Sequence, residues 1–131
     1  MGPDLEFVAK EHHLSNEELI AIHTAPTYRV YLIGFSPGFP YLGGMSARIA
    51  TPRRRTPRHL VPAGSVAIGG VQTGIYSSDT PGGWNIIGRT PLKLFDPSAD
   101  PPCLLKPGDQ VVFQSVTMAE MNSFFSDVKP I

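Results

Sequence analysis

The stretch of sequence that decides the fold is SVAIGGVQTGIY, residues 65–76. Two runs rich in β-branched residues flank Gly69-Gly70. A glycine pair at this spacing is typical of a tight hairpin, because glycine adopts positive φ angles without a Cβ clash. The pattern therefore predicts two antiparallel strands joined by a two-residue turn.

Outward from this hairpin, short apolar runs alternate with glycine and proline. Twelve of the thirteen glycines lie from Gly34 to Gly108. Short strands with a turn signal at roughly every 8–12 residues are typical of an all-β sandwich or barrel. We expect a mainly β fold, with strands at residues 28–33, 65–68, 71–76, 84–89, 92–95 and 110–114.

Two or three helices are predicted around the β region. Ser15 and Glu18 have the spacing of a capping box, and Pro26 would end the helix that follows. Asp4 is a candidate N-cap for a shorter helix. Residues 117–120 repeat the capping-box pattern ahead of an apolar stripe, which predicts a helix near the other end.

Composition and charge exclude several classes of protein. A chain of 131 residues predicts one domain. Its 11 basic residues balance 11 acidic ones, which argues against a nucleic-acid-binding protein. No apolar run approaches the ~20 residues of a membrane span, and MGPDLEFV lacks the features of a secretion signal. Cys103 is the only cysteine and the four histidines show no zinc spacing, so no metal site is predicted and a cytoplasmic protein fits best.

The strongest local charge feature is RRRTPRH, residues 53–59. Four guanidiniums within six positions can clamp a carboxylate or a phosphate, and no acidic residue nearby in sequence neutralises them. The alternative is a solvated loop, because the surrounding prolines disfavour a helix or a central strand. The sequence leaves both interpretations open.

A loop rich in aromatic residues, GFSPGFPYLGG at residues 34–44, follows the first predicted strand. Glycine allows backbone to approach a ligand closely, proline stiffens the loop, and Phe35, Phe39 and Tyr41 supply flat apolar walls. The alternative is a loop whose rings plug one end of a barrel. A binding wall is the favoured interpretation.

Alternation along two strands predicts a polar site. Gln72 and Tyr76 share one face of residues 71–76, while Asn85 and Arg89 share a face of residues 84–89. Converging amide, phenol and guanidinium donors suit a small amide or a carboxylate ligand. Alternation alone leaves open whether the two faces meet.

Four long motifs carry a resemblance to a known family. YLIGFSPGFPYLGGM, PRRRTPRHLVPAGSVAIGGVQTGIY, TPGGWNIIGRTPLKLFDP and LLKPGDQVVF occur in the order and spacing of the allophanate hydrolase subunit 1 family. The resemblance runs from about Tyr28 to Phe113. Ser77 stands where many members have proline, and Asp79 where glutamate is common. The family contains the B subunit of 5-oxoprolinase and KipI-type inhibitors of a sporulation histidine kinase.

The resemblance implies a cyclophilin-like closed β-barrel with flanking helices. It implies that residues 1–131 form one domain, the C-terminal domain of a longer protein whose small N-terminal α/β domain is absent from this sequence. Prolyl isomerase activity, which this fold also suggests, is a weaker interpretation, because proteins of one fold can have unrelated functions.

The activity implied by the resemblance is ATP-dependent opening of the cyclic amide 5-oxoproline to L-glutamate, together with other 5-oxoprolinase subunits. No phosphate-binding loop motif is present, so ATP binding is expected through the complete complex. The implied catalytic residues are Arg89, Gln72 and Tyr76. The implied substrate-binding residues are Phe35, Ser36, Gly38, Phe39, Arg53, Arg58, Thr73, Asp79, Trp84 and Asn85.

A second function implied by the resemblance is inhibition of a sporulation histidine kinase. An inhibitor requires an exposed patch that grips the kinase and no chemistry of its own. The alternative to an enzyme subunit is therefore a purely protein-binding module, with the aromatic loop at residues 35–41 as its apolar anchor.

Overall fold

The hairpin predicted at residues 65–76 lies within the main sheet of the structure, but Gly69 pairs with Gln72, so its two-residue turn is Gly70-Val71 and not the predicted Gly69-Gly70. The structure is a computed structural model that describes residues 2–35 and 37–116. Its helices are α1 (Leu5–Glu11) and α2 (Asn16–Thr24), with a short 3-10 helix at Ala47–Ile49. Its strands are β1 (Tyr28–Ile33), β2 (Pro40–Gly43), β3 (Arg58–Val61), β4 (Ser65–Gly69), β5 (Gln72–Ile75), β6 (Thr80–Gly82), β7 (Asn85–Arg89) and β8 (Gln110–Val111).

The strands form two antiparallel sheets. Six strands pair in the order β7-β4-β5-β2-β1-β8, and β3 pairs with β6 in a separate two-stranded sheet. The mainly β class with two helices is confirmed. In the described part of the chain the six-stranded sheet has two ends, β7 and β8, so the pairing found there is that of an open sheet and not of the expected closed barrel.

Several strand predictions need correction. Residues 92–95 form no strand; Phe95 makes only an isolated bridge to Cys103, because prolines at 91 and 97 remove amide donors on both sides. The last predicted strand is reduced to Gln110–Val111. The sequence patterns do not predict β2, β3 and β6, because β2 begins with Pro40 and β3 pairs with β6 across about twenty positions.

The helices follow their local signals. The Ser15 hydroxyl accepts from the amide of Glu18 at 3.1 Å, and the Glu18 carboxylate accepts from the amide of Ser15 at 2.9 Å, which confirms the capping box. Helix α1 begins after Asp4, although the Asp4 side chain makes no capping bond. The helix predicted after residue 117 lies outside the described residues. No helix in the described part is long and apolar enough to cross a membrane.

The core is divided between two clusters of buried side chains. The larger cluster joins the helices to the main sheet and includes Leu5, Val8, Leu19, Tyr28, Val30, Leu42 and Ile68. The smaller cluster contains Phe39, Val61, Ala67, Tyr76, Trp84 and Ile86. Neighbours along β4 alternate between them, since Val66 and Ile68 belong to the larger cluster and Ala67 to the smaller. The two faces of β4 therefore have different surroundings.

Candidate functional site

A β-bulge in β7 divides the predicted polar site. Arg89 pairs with Ser65 on β4, and Asn85 pairs with Ile68, but the register shifts between these pairs because Ile87 is an extra residue. Positions three apart on a regular strand such as β4 point to opposite faces. Asn85 and Arg89 therefore lie on opposite faces, and the predicted common face is wrong.

Asn85 and Thr73 are tied into the interior by hydrogen bonds. The Asn85 amide donates to the carbonyl oxygen of Pro52 at 2.9 Å and to a β4 carbonyl at 3.2 Å. The Thr73 hydroxyl donates to another β4 carbonyl at 2.9 Å. The hydroxyl oxygen of Thr73 also lies 2.9 Å from Nε2 of His23. Because the Thr73 proton is already used, His23 must donate from Nε2. Both side chains have structural partners in place of a ligand.

The side of the sheet that holds the smaller cluster carries a cleft of about 190 Å³, which we call the aromatic cleft. It brings together Phe35, Phe39, Arg53, Tyr76 and Trp84 from the predicted set. Its full lining is Phe35, Phe39, Tyr41, Arg53, Arg54, Pro57, Tyr76, Gly82, Gly83 and Trp84.

The walls of the aromatic cleft are held by ring-to-ring contacts. The ring centroid of Phe39 lies 5.1 Å from that of Tyr76 and 5.5 Å from that of Trp84, both at nearly perpendicular angles. Tyr41 lies 5.0 Å from Phe39. Perpendicular aromatic pairs are favourable because the positive edge of one ring meets the negative face of the other. The wall is therefore rigid, and Phe39 plugs the interior while its neighbours face the cleft.

Glycines make room for these rings. A Cβ atom at Gly69 would overlap the indole of Trp84, and one at Gly82 would overlap the phenol of Tyr76. At Gly74 a Cβ would lie 2.9 Å from the ring of Phe39. These glycines were predicted only as turn or strand punctuation, whereas they also provide close approach between backbone and ring.

Phe35 stands at the mouth of the aromatic cleft in an unusual conformation. Its φ angle is +65°, in the left-handed region that non-glycine residues rarely adopt. Phe35 is 62% exposed. Its ring lies 5.4 Å from Phe39 and 6.2 Å from Tyr76. Gly38 in the same loop has φ +80°. Ser36, between them, lies outside the described residues.

Tyr76 is the phenol of the aromatic cleft. Burial raises its pKa, and the backbone amide of Trp84 and the positive charge of Arg53 offset only part of this effect. The phenol therefore keeps its proton at neutral pH and is available as a hydrogen-bond donor. Gln72, half-buried on β5, lies opposite Gly69 and by alternation points to the same side as Tyr76.

Asp4 neutralises part of the arginine segment. Its Oδ1 accepts from Arg54 at 2.8 Å and from Arg58 at 2.9 Å, while its Oδ2 accepts from Arg58 at 2.6 Å and from the amide of Ile86 at 2.7 Å. Burial would raise the pKa of Asp4, but these hydrogen bonds and the two positive charges outweigh it and hold the pKa below its ordinary value. No acidic residue lies close to these arginines in sequence, as predicted, but the fold brings Asp4 to them from about fifty positions away. Arg58 is therefore a structural partner of Asp4.

The remaining predicted residues occupy different places. Arg53 is exposed and lines the aromatic cleft. Arg89 is exposed and lines two other cavities, one beside His23 and one beside Arg58. Asp79 is exposed and accepts from the amide of Ala63 at 2.8 Å. Among the described residues no three histidine, cysteine or acidic side chains gather in a way that could hold a metal ion.

The structure is thus an antiparallel β domain with an aromatic cleft edged by arginine. The family model for the carboxyltransferase domain, subdomain C and D, matches residues 1–105. The chain belongs to this family. This result confirms the resemblance found in the motifs.

Curated relatives agree with the family. The chain is 56% identical over 123 residues to the 5-oxoprolinase B subunit of Bacillus subtilis, covering 94% of this chain and 51% of the relative. It is 55% identical over 112 residues to the 5-oxoprolinase B subunit of Escherichia coli O157:H7, covering 86% of this chain and 51% of the relative. The chain thus spans about half the length of these relatives.

Solved structures show the same fold. A conserved protein from Pyrococcus horikoshii matches with a TM-score of 0.88 and 56% identity, over 92% of this chain and 56% of that one. The urea amidolyase of K. lactis matches with a TM-score of 0.78 and 26% identity, over 95% of this chain and 8% of that one.

Proposed function

We propose that this chain is part of the B subunit of an ATP-dependent 5-oxoprolinase, acting with other subunits to convert 5-oxoproline to L-glutamate. The observation that carries the proposal is the aromatic cleft edged by Arg53, in a chain 56% identical to a 5-oxoprolinase B subunit. Residues 1–131 would be the C-terminal domain of that subunit. We propose a closed, cyclophilin-like barrel for the complete domain, in keeping with the family resemblance.

The dimensions and polarity of the aromatic cleft suit this substrate. 5-Oxoproline is a five-membered lactam with one carboxylate, and a cleft of about 190 Å³ can hold a ring of that size. The rings of Phe35 and Trp84 would contact its methylene groups, and the guanidinium of Arg53 would pair with its carboxylate. The protonated phenol of Tyr76 would donate to the lactam oxygen.

ATP is needed because the lactam carbonyl is a poor electrophile until its oxygen is activated. The reaction consumes one water to open the lactam and a second to cleave ATP to ADP and phosphate. The Tyr76 phenol, as a donor to the lactam oxygen, would stabilise the anionic character that develops there. In this proposal Arg53 and Tyr76 bind and orient the substrate, and Gln72 lies within reach of the same side. Arg89 lines two other cavities and does not line this cleft.

The test is reconstitution of the full-length subunits and measurement of ATP-dependent glutamate formation. We expect Arg53→Ala to lower kcat/KM for 5-oxoproline about 100-fold, because the charge-assisted hydrogen bonds to the substrate carboxylate are lost. We expect Tyr76→Phe to lower it about 10-fold, because one hydrogen bond to the lactam oxygen is lost. Arg48→Ala, an exposed arginine on the 3-10 helix, is the matched control and should leave turnover unchanged.

One result would count against the assignment. Wild-type turnover in both Arg53→Ala and Tyr76→Phe would remove the aromatic cleft from the active site. Arg89→Ala decides a separate question: undiminished turnover would remove Arg89 from the catalytic residues, and a large loss would mean that a partner subunit brings Arg89 to the substrate.

A second candidate function is inhibition of a sporulation histidine kinase by direct binding. The observation that favours it is a patch of exposed apolar side chains around the start of the aromatic loop: Tyr31 is 61%, Leu32 50% and Phe35 62% exposed. Exposed aromatic anchors of this kind are typical of protein-binding surfaces. This function requires no bound substrate.

Titration of the full-length protein against the kinase, with phosphohistidine formation as the readout, tests the second function. We expect Phe35→Ser to weaken inhibition by about 10-fold or more, the effect of losing an aromatic hot spot. Leu92→Ser, which removes an exposed leucine outside the patch, should leave it unchanged. Absence of inhibition at micromolar wild-type protein would reject the kinase-binding role.

A further inference from the structure

A second cavity lies on the other side of the arginine segment from the aromatic cleft. It has a volume of about 440 Å³, and we call it the arginine cavity. It is lined by Phe7, Glu11, Thr51, Pro52, Arg53, Arg54, Arg55, Thr56 and Asn85. Ligand sites for nucleotide-sized molecules have volumes of roughly 300–1,000 Å³, so this cavity is large enough for one.

The charge around the arginine cavity is positive. Within the described ranges, Arg53 and Arg55 form no ion pair, and both are exposed. Arg54 shares the single carboxylate of Asp4 with Arg58. The lining of the arginine cavity carries three arginines, 53, 54 and 55, and one carboxylate, that of Glu11, which gives a net charge of +2. A net positive cavity of this kind attracts an anion of more than one charge.

The backbone that carries these arginines is fixed before any ligand binds. Thr51 and Gly70 exchange two backbone hydrogen bonds of 3.0 Å and 2.7 Å. The Asn85 side chain holds the carbonyl of Pro52, and the amide of Arg54 donates to the carbonyl of Gly83 at 2.7 Å. A segment anchored at three places keeps its backbone in one conformation, which lowers the backbone entropy lost on binding.

Two further features indicate the kind of anion. Phe7 lines the arginine cavity and is 53% exposed, so its ring is available to stack on a flat, uncharged group. Arg53 and Arg54 line both the arginine cavity and the aromatic cleft. A ligand in the arginine cavity and a substrate in the aromatic cleft would therefore meet the same two arginines from opposite sides.

We propose that the arginine cavity binds a nucleoside triphosphate, with Arg53 and Arg55 on the phosphate oxygens and Phe7 against the base. The inference deepens the proposed function and rests on it for the identity of the nucleotide as ATP. It assigns phosphate contacts to this chain, where the sequence motifs pointed only to the complete complex. The terminal phosphate would lie at Arg53 and Arg54, which line both cavities.

Arg55 gives the sharpest test, because it lines the arginine cavity and not the aromatic cleft. In the reconstituted complex, Arg55→Ala should raise KM for ATP about 10-fold and leave KM for 5-oxoproline unchanged, because one charge-assisted bond to phosphate is lost. Arg55→Lys should recover part of the ATP affinity, since it keeps the charge but not the bidentate geometry. Arg48→Ala should alter neither KM.

Direct binding to the full-length protein separates the phosphates from the base. By calorimetric titration, Arg55→Ala should weaken both ATP and tripolyphosphate about 10-fold. Phe7→Ser should weaken ATP and leave tripolyphosphate unchanged. Equal loss of both ligands in Phe7→Ser would overturn the assignment of Phe7 to the base. Wild-type affinity of Arg55→Ala for both ligands would overturn the phosphate site.

The outcomes distinguish this inference from the proposed function. If the complex forms glutamate and Arg55→Ala has the wild-type KM for ATP, the arginine cavity is not the nucleotide site and the proposed function stands. If no glutamate forms but ATP binding depends on Arg55, the proposed reaction fails and the nucleotide site stands.

Discussion

Replacing Asp4 with alanine is expected to lower the free energy of unfolding by about 3 kcal/mol. Removal of one partner from a buried ion pair costs about 3–5 kcal/mol, because the remaining charges lose their compensation. The side chains of Arg54 and Arg58 are 33% and 23% exposed, so water can solvate them in part once Asp4 is gone. The lower end of this range therefore applies. The amide of Ile86 loses its acceptor as well. Urea denaturation at pH 7 measures the change.

A matched control for Asp4 is available on α1. Glu6 forms an ion pair with Lys10 in which both side chains are at least 70% exposed, so Glu6→Ala should change stability by less than about 0.5 kcal/mol. A loss in Asp4→Ala as small as in Glu6→Ala would contradict the clamping role of Asp4.

The stabilisation by Asp4 depends on pH in a defined direction. The pKa of Asp4 is lower in the folded protein than in the unfolded chain, so its contribution is complete above the unfolded value of about 3.9. The contribution is lost as the pH falls through the folded pKa. The stability difference between wild type and Asp4→Asn should therefore be constant from pH 7 to about 5 and shrink below about 4.

Acidification from pH 7 to pH 5 is expected to destabilise the protein by about 2 kcal/mol through His23. Burial lowers the pKa of His23 from 6.5 to about 4. Since the unfolded chain takes up the proton first, stability is complete above about 6.5 and falls until about pH 4, by roughly 3 kcal/mol in total. Tyr28, which contacts His23 and whose pKa burial raises to about 12, stays neutral throughout.

Variants isolate the contribution of His23. His23→Gln keeps a donor for the hydroxyl of Thr73 but cannot titrate, so the slope of stability against pH between 6.5 and 4 should be much flatter than in wild type. His59→Gln, at an exposed histidine on β3, should keep the wild-type slope. An unchanged slope in His23→Gln would show that other groups cause the acid sensitivity.

The parts of the fold that were predictable are those that depend on local chemistry. The hairpin around Gly69-Gly70 and the capping box at Ser15 each involve residues within a few positions of one another. The β-bulge at Ile87 leaves no local mark, because an isoleucine in a strand looks the same with or without an extra residue opposite it. That one residue places Asn85 and Arg89 on opposite faces of the sheet.

The same distinction explains the candidate site. Phe35 and Phe39 were predicted as walls from their residue types and Trp84 from the family resemblance, and all three line the same cleft. The roles of Asn85, Thr73 and Arg58 in binding a substrate were predicted from polarity alone, but their partners Pro52, His23 and Asp4 are 33, 50 and 54 positions away in sequence. Polar side chains predict a ligand and a buried structural partner equally well until the fold is known.

Trp84 has a further consequence for work in solution. It is the only tryptophan of the chain, it is 6% exposed, and its indole packs edge-on against Phe39 in the wall of the aromatic cleft. Fluorescence excited at the long-wavelength edge of the protein's absorption therefore comes from Trp84 alone. Changes in this fluorescence report on the aromatic cleft, so ligand binding there can be followed without an attached dye.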